Sequence, residues 1–134
     1  RSKDISRITW LVADAAKPPF RSSSFDRVLL DAPCTGLGTL RRRPEIRYRM
    51  DPDAPDRYGK MQRSMLQQAV GLLRQGGRLV YSVCTVFPEE TIDVVANMGF
   101  HAPEHSIAEP WGDGVLFTPH LTRTDGMFIA VFDA

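Results

Sequence analysis

Apolar positions along the chain predict four short strands. Three runs rich in β-branched or aromatic residues, 8–12, 25–31 and 78–84, each lead into polar or turn-forming residues, and a fourth run covers 127–132. The run at 25–31 has a continuous apolar centre. Such a centre is typical of a strand that is buried on both faces of a parallel sheet.

Apolar residues at helical spacing predict two helices between these strands. The first helix is expected over about residues 57–74, ending at Gly76-Gly77, where flexible residues suit a helix end. Its apolar face recurs every three or four positions: Met61, Met65, Leu66, Ala69, Leu72 and Leu73. The second helix is expected to begin near Pro88, with Glu89-Glu90 in its first turn, and to end at Gly99. The predicted order of elements along the chain is strand, strand, helix, strand, helix, strand. This alternation indicates an α/β sheet with helices on its faces.

Residues 39–57 are predicted to form an extended loop with at most a short helix, because several prolines interrupt them. The whole chain has a net charge of only +1, but its basic residues concentrate around this loop. Residues 40–63 contain eight basic and four acidic side chains, a net charge of +4, while the rest of the chain carries −3. A basic segment on a near-neutral domain suits contact with phosphates, and a solvated charged loop is the plainer alternative.

The composition is that of an ordinary globular protein, with 43% apolar and 25% charged residues. No apolar run approaches the roughly 20 residues that span a bilayer, so no membrane segment is expected. The sequence begins Arg-Ser-Lys-Asp, with neither an initiator Met nor a signal-like apolar stretch. We therefore expect a cytoplasmic chain that was cut from a longer one and that starts inside a fold.

Polar or reactive residues follow three of the predicted strands. Asp14 follows the first, Asp31 to Cys34 end the second, and Cys84 ends the third. Ligands of open α/β sheets bind beyond the carboxyl ends of the strands, which makes these residues a candidate site. Neither cysteine belongs to a C-x-x-C pair or has a nearby His, so no metal site is expected. Counting alone leaves a disulfide open, and each cysteine could also be a small buried apolar residue.

Three motifs resemble the Sun (Fmu) branch of RNA cytosine-5 methyltransferases, which contains the bacterial small-subunit ribosomal RNA enzyme. They are Asp-Ala-Pro-Cys-Thr-Gly-Leu-Gly at 31–38, Arg-Arg-Pro-Glu-Ile-Arg at 42–47 and Tyr-Ser-Val-Cys-Thr-Val-Phe-Pro-Glu-Glu at 81–90. Residues 119–128 are also similar to the closing hairpin of that family. The resemblance covers about residues 12–132. It implies a Rossmann-like class I methyltransferase fold that uses S-adenosylmethionine.

The resemblance also implies the reaction, which is methyl transfer to carbon 5 of a cytosine in RNA. Ribosomal RNA is the expected substrate, and transfer RNA is the alternative. Cys84 would be the nucleophile that adds to carbon 6 and makes carbon 5 reactive. Cys34 would help to remove the proton from carbon 5, as a base or through a water molecule. Asp31 would hydrogen-bond the pyrimidine edge, although capping of its own turn is a plainer role.

Cofactor and RNA contacts follow from the same resemblance. Asp14, Asp31 and Pro33 are the expected cofactor-binding residues: Asp14 would touch the adenosine part, and Pro33 would mainly fix the backbone beside Cys34. A loop-starting role is the alternative for Asp14. Three arginines are expected to grip RNA phosphates and to lower the pKa of the catalytic thiol by their positive field. These are Arg42, Arg43 and Arg47.

Part of the family pattern is missing from the sequence. No G-x-G loop, which would hold the cofactor, occurs upstream of Asp14. In the family's sheet, the first two strands lie between the strand that ends at Asp14 and the one that ends at Asp31. We therefore expect residues 1–134 to be the C-terminal part of one catalytic domain, with exposed strand edges that a missing N-terminal half would cover. A noncatalytic remnant that binds RNA or a partner through its basic loop is the alternative function.

Overall fold

The computed structural model describes residues 8–104 and 106–134, and a five-stranded sheet lies at its centre. The strands are β1 (Phe25–Asp31), β2 (Leu73–Val83), β3 (Glu109–Trp111), β4 (Gly114–Phe117) and β5 (Met127–Asp133). Their order in the sheet is β1-β2-β5-β4-β3. β1 and β2 are parallel, whereas the remaining neighbours are antiparallel. Two of these strands, β3 and β4, had no recognisable pattern in the sequence.

Four helical segments accompany the sheet. They are α1 (Ile46–Arg49), α2 (Ala54–Gly71), α3 (Ile92–Val95) and α4 (Pro119–Thr122). Only α2 is longer than about one turn, and the hydrophobic core lies between it and the sheet, around Leu66, Tyr81 and Phe128. The predicted α/β class is confirmed. The loop expected at 39–57 contains the short helix α1 but ends earlier than predicted, because α2 begins at Ala54. None of the helices in the described part of the chain is long and apolar enough to cross a membrane.

The buried face of α2 is rotated from the predicted one. Gly59, Gln62, Leu66 and Ala69 are buried, whereas the expected methionines are only half-buried. Gly59 explains the rotation, because a Cβ atom there would lie 2.1 Å from the carbonyl oxygen of Glu89. Because Gly59 has no side chain, the helix can approach closely the backbone that follows β2 at this position.

The predicted end of this helix at Gly76-Gly77 is wrong. α2 ends at Gly71, and Gly76 and Gly77 lie inside β2, where the pairing register with β1 is irregular. The amides of Ser23 and Ser24 donate hydrogen bonds to the carbonyls of Gly71 and Leu72. The last carbonyls of the helix are therefore satisfied by the segment that leads into β1.

The single helix expected over residues 88–99 is also wrong. A 3-10 turn at Pro88–Glu90 is followed by the four-residue α3, and Thr91 separates them with φ −121° and ψ −96°. The hydroxyl of Tyr81 donates a 2.8 Å hydrogen bond to the carbonyl of Glu90, which removes that carbonyl from a helical ladder. Tertiary contacts therefore override the local helical pattern.

The strand expected at 8–12 does not form. These residues are irregular and exposed, so Asp14 does not follow a strand. In the described part of the chain, β1 pairs only with β2, and its other edge has no neighbouring strand. Burial of β1 on both faces is likewise not observed, because Val28 and Leu30 are half-buried while Leu29 is 70% exposed. Residues 8–12 do not pair with the free edge of β1, so in the described part of the chain their backbone groups join no sheet ladder.

Candidate active site

Cys34 and Cys84 lie next to each other at the carboxyl ends of β1 and β2. The parallel register pairs Asp31 with Ser82, so the chain leaves both strands at the same edge of the sheet. The two Sγ atoms are 3.3 Å apart, and both thiols are free and half-buried. This distance is a close non-bonded contact, longer than the roughly 2.05 Å of a disulfide. The structure thus brings together two cysteines that are fifty positions apart in sequence.

The turn that carries Cys34 is attached to the rest of the site through its backbone. Gly36 adopts the left-handed region, with φ +74°, where a glycine is favoured. The amide of Gly38 donates a 3.0 Å hydrogen bond to the carbonyl of Cys84. The amide of Gly126 donates a 2.8 Å hydrogen bond to the carbonyl of Gly38. A Cβ atom on Gly38 would lie 2.1 Å from the oxygen of Gly126, so only glycine allows this approach.

The two thiols differ in acidity because they interact. A hydrogen bond from Cys34 lowers the pKa of Cys84 to about 7, against the opposing effects of burial and of the nearby charges of Asp31 and Glu90. The same hydrogen bond, together with burial, raises the pKa of Cys34. Cys84 is therefore the thiol that ionises first. The chief cause is its partner thiol and not the arginine field expected from the sequence.

Asp31 lies beside the two cysteines, as the sequence placed it. Its Oδ1 accepts a 2.9 Å hydrogen bond from the hydroxyl of Ser82 on the neighbouring strand. The residue itself is exposed, so its carboxylate is accessible from solvent. The neighbouring Pro33 is also exposed, and its carbonyl accepts a 2.9 Å hydrogen bond from the side-chain amide of Gln62.

Asp14 lies in a different depression from the cysteines. It is the only ionisable residue that lines an apolar groove of about 240 Å³ between segment 11–20, β1 and α2. Its Oδ1 accepts a 2.8 Å hydrogen bond from the amide of Ala16, which stabilises the local turn. The structure therefore separates Asp14 from the thiol pair, while Asp31 stays beside that pair.

The basic segment borders a cleft of about 260 Å³ that reaches Cys34 and Thr35. Within that segment, the expected RNA contacts already have partners in the protein. Arg42 forms an ion pair with Asp125, with a 2.7 Å hydrogen bond from its Nε, and this pairing raises the pKa of Arg42. The Nε atom of Arg43 lies 3.5 Å from Oε1 of Glu45. The guanidinium carbon of Arg47 lies over the ring of Tyr48, 4.6 Å from its centre.

Glu90 and Gln62 belong to the site, although the sequence did not indicate either of them. Glu90 was expected in the first turn of a helix. It is completely buried and hydrogen-bonded to Thr35, Gln62 and Thr85. Gln62 is equally buried on α2. Glu89 beside it has the same chemistry, so nothing in the local pattern distinguished the two glutamates. A tertiary contact decides which one turns inwards.

Comparison with known proteins identifies the family. The sequence matches the family model described as 16S rRNA methyltransferase RsmB/F over residues 3–133. The chain belongs to this family. The resemblance to the Sun (Fmu) methyltransferases is thereby confirmed.

Individual members of this family and solved structures agree with the match. Ribosomal RNA small subunit methyltransferase B of Thermus thermophilus is 49% identical over 78 residues, covering 58% of this chain and 20% of the relative. The Klebsiella pneumoniae protein of the same name is 35% identical over 113 residues, covering 81% of this chain and 26% of the relative. The crystal structure of NSun6 from Pyrococcus horikoshii with SFG, an S-adenosylmethionine analogue, has a TM-score of 0.75 at 34% identity, covering 90% of this chain and 33% of that one.

These relatives define the fold and show how much of it is present. The solved neighbours are class I methyltransferases, so the predicted Rossmann-like class I fold is confirmed. The chain spans about a fifth to a third of the length of the relatives.

Proposed function

We propose that this chain supplies the catalytic cysteines of an S-adenosylmethionine-dependent RNA cytosine-5 methyltransferase that acts on ribosomal RNA. The observation that carries the proposal is the contact of the Cys34 and Cys84 sulfurs, 3.3 Å apart, at the carboxyl ends of two parallel strands. Membership of the RsmB/F family supports ribosomal RNA over transfer RNA as the substrate.

Cys84 is the nucleophile in this proposal. Carbon 5 of cytosine is a weak nucleophile until a thiolate adds to carbon 6, which forms a carbon–sulfur bond and moves electron density to carbon 5. A thiol with a pKa of about 7 is substantially ionised at neutral pH and still nucleophilic. Asp31, exposed beside the thiols, would accept a hydrogen bond from the pyrimidine edge and so stabilise the proton that ring nitrogen 3 gains.

Cys34 is the group that takes the proton from carbon 5. Its pKa is raised chiefly by the hydrogen bond that it donates to Cys84. Once Cys84 is bonded to carbon 6, it no longer carries the negative charge that holds this proton on Cys34. Cys34 can then release its own proton to water. After carbon 5 has received the methyl group, the Cys34 thiolate accepts the proton of carbon 5, while the carbon–sulfur bond breaks and Cys84 leaves as a thiolate. The two thiols would therefore act in sequence.

The residues around Asp14 fit part of the cofactor. The groove beside Asp14 has apolar walls that suit the face of an adenine base, and one carboxylate that suits a hydroxyl or amino group. S-adenosylmethionine would supply the electrophilic methyl group. Asp14 would hold the adenosine part, while Asp31 and Pro33 would lie at the end nearer to the thiols.

RNA would lie along the basic segment that borders the 260 Å³ cleft. The target cytosine must leave its stack to reach half-buried thiols, and phosphate contacts would hold the backbone beside it. Arg43 and Arg47 are exposed at the surface and would serve this role directly. Arg42 would serve it while fastening its loop to Asp125.

We further propose that residues 1–134 are the C-terminal part of a single catalytic domain. The unpaired edge of β1 and the 70% exposure of Leu29 support an additional strand and further chain on this side. That part of the domain, from the same or another chain, would provide the glycine-rich loop. Residues 1–7 lie outside the described part of the structure.

Trapping of the covalent intermediate tests this function. In the full-length enzyme, Cys34→Ala is expected to accumulate a protein–RNA adduct that survives denaturation, because the carbon 5 proton is not removed. Cys84→Ala is expected to form no adduct, because it cannot attack carbon 6. The measurement is denaturing electrophoresis with labelled RNA, alongside a methylation assay.

The adduct experiment has one control variant and two outcomes that would contradict the proposal. Ser64→Ala, an exposed change on α2, should behave as the unchanged enzyme. Equal adduct from both cysteine variants would reverse the assignment of roles. An unchanged enzyme that binds RNA but neither forms an adduct nor transfers a methyl group would support the noncatalytic alternative.

A further inference from the structure

The carboxylate of Glu90 is buried directly beneath the two cysteine turns. The residue has 0% of its surface exposed. Its two oxygens accept four hydrogen bonds: from the amide and hydroxyl of Thr35 at 2.9 and 2.5 Å, from the side-chain amide of Gln62 at 3.1 Å, and from the hydroxyl of Thr85 at 3.2 Å. None of the ion pairs in the described part of the chain includes Glu90. All of its observed partners are neutral donors.

Burying a carboxylate without a cation costs free energy. Apolar residues of similar volume in place of buried charged groups often make a protein equally stable or more stable. What only a carboxylate offers is two oxygens that accept several hydrogen bonds and donate none. A glutamine in its place would turn an NH₂ group towards other donors. The arrangement around Glu90 therefore uses a property that is specific to a carboxylate, which indicates a role in geometry beyond filling the core.

The groups that meet at Glu90 are the residues that flank the two cysteines. Thr35 follows Cys34, and Thr85 follows Cys84. The hydroxyls of these two threonines also contact each other at 2.9 Å. Gln62 donates to the carbonyl of Pro33, which precedes Cys34, as well as to Glu90. One side chain thus connects both cysteine turns with α2.

We propose that Glu90 is a positioning residue for the two thiols: its carboxylate fastens the Cys34 turn to the Cys84 turn and thereby fixes the distance between their sulfurs. The inference rests on the methyltransferase function proposed above. Two of the four hydrogen bonds, including the shortest, go to Thr35, so the Cys34 turn depends most on Glu90. Cys84 is held separately, because it directly follows β2, which pairs with a strand on each side.

This asymmetry determines what the loss of the carboxylate does to the reaction. Attack by Cys84 on carbon 6 continues, although more slowly because the hydrogen bond that lowers its pKa is weakened. Removal of the carbon 5 proton is affected more, because Cys34 is no longer held where it can take that proton. The methylated adduct should then decay slowly and accumulate. A residue that only stabilised the fold would lower the amount of active enzyme without changing the proportion trapped as adduct.

The test compares Glu90→Gln with the unchanged full-length enzyme, at equal concentrations of folded protein. The turnover number kcat is expected to fall by between about 10-fold and 100-fold, the range expected when a catalytic group is displaced by about an ångström. KM for RNA should stay within about twofold, because no RNA contact is removed. The denaturation-resistant adduct should rise at the same time. Glu109→Gln, an exposed change on β3, is the matched control and should leave all three values unchanged.

Thr35→Val provides a second variant if Glu90→Gln does not fold. It removes the 2.5 Å hydrogen bond to Glu90 and the contact with Thr85, while the backbone bond of Thr35 remains. A smaller fall in kcat with accumulation of adduct is expected. Normal kcat in Thr35→Val, or no additional adduct in a folded Glu90→Gln, would overturn the positioning role. An unchanged enzyme without methyl transfer would overturn the proposed function, and the inference with it.

Discussion

At the scale of single residues, the site depends on an unequal pair of thiols. Cys34 and Cys84 are chemically identical in sequence, and their different acidity arises only when their sulfurs come within 3.3 Å. The hydrogen bond from Cys34 stabilises the Cys84 thiolate and, for the same reason, keeps the proton on Cys34. The pair thus has a built-in order of ionisation.

Alkylation of Cys84 should reveal this order. In the full-length protein, the rate of its reaction with iodoacetamide should rise with pH and reach half its maximum near the lowered pKa of about 7. In Cys34→Ala, the hydrogen-bond donor to Cys84 is lost. The midpoint, which is the pH at which alkylation of Cys84 reaches half its maximal rate, should then move towards 9.0, the ordinary pKa of a thiol. Mass spectrometry of the Cys84 peptide measures both curves.

A conservative variant separates the hydrogen bond from other effects of the substitution. Cys34→Ser keeps a donor beside Cys84, so its midpoint should remain closer to that of the unchanged protein than the midpoint of Cys34→Ala. Identical pH profiles for all three proteins would show that Cys34 does not lower the pKa of Cys84.

At the scale of secondary-structure elements, contact between α2 and the segment after β2 shapes the site. Gly59 permits the helix to approach the carbonyl of Glu89, and Gln62, one turn further on, reaches both Pro33 and Glu90. The close approach of the helix thereby places a polar side chain beneath the cysteine turns. A helix held even slightly further away would leave Glu90 without one of its donors.

Alanine substitutions at two glycines of α2 test this packing. Gly59→Ala should lower the free energy of unfolding by about 1–3 kcal/mol, because the new methyl group forces the helix from the Glu89 carbonyl. Gly71→Ala, at the end of the same helix, meets nothing within 4 Å and should be neutral or stabilising by up to about 1 kcal/mol. Urea denaturation of the full-length protein measures both. Equal effects at the two positions would contradict the close helix approach.

At the scale of the whole molecule, one edge of the sheet lacks a pairing strand in the described part of the chain. That edge belongs to β1. Exposed apolar side chains lie in β1 or before it in sequence: Trp10, Leu11, Val12 and Leu29. The thiol site has a buried carboxylate that joins both cysteine turns through hydrogen bonds, whereas Asp14 is the one polar side chain among the described residues that line its groove. The chain therefore carries the chemical groups of the proposed reaction more fully than it carries a cofactor pocket.

Calorimetric titration with S-adenosylmethionine should reflect this difference. The 134-residue chain is expected to show no micromolar binding, whereas the full-length protein should bind. In the full-length protein, Asp14→Ala should weaken binding by about 10-fold or more, the loss expected for a hydrogen bond to a charged group. Asp26→Ala, which removes only the surface ion pair with Arg74, is the matched control. Micromolar binding by the short chain would contradict the need for further chain.

The sequence by itself indicated the α/β class and placed Asp31, Cys34 and Cys84 at the carboxyl ends of two strands. These features follow from short-range patterns: apolar runs define the strands, and parallel strands bring the residues at their carboxyl ends to one edge. The tertiary structure alone decided that 8–12 form no strand, because strand pairing depends on contacts that a local apolar pattern does not specify. It also decided which of two adjacent glutamates is buried and how two thiols share their protons, because both depend on contacts between residues that are distant in sequence.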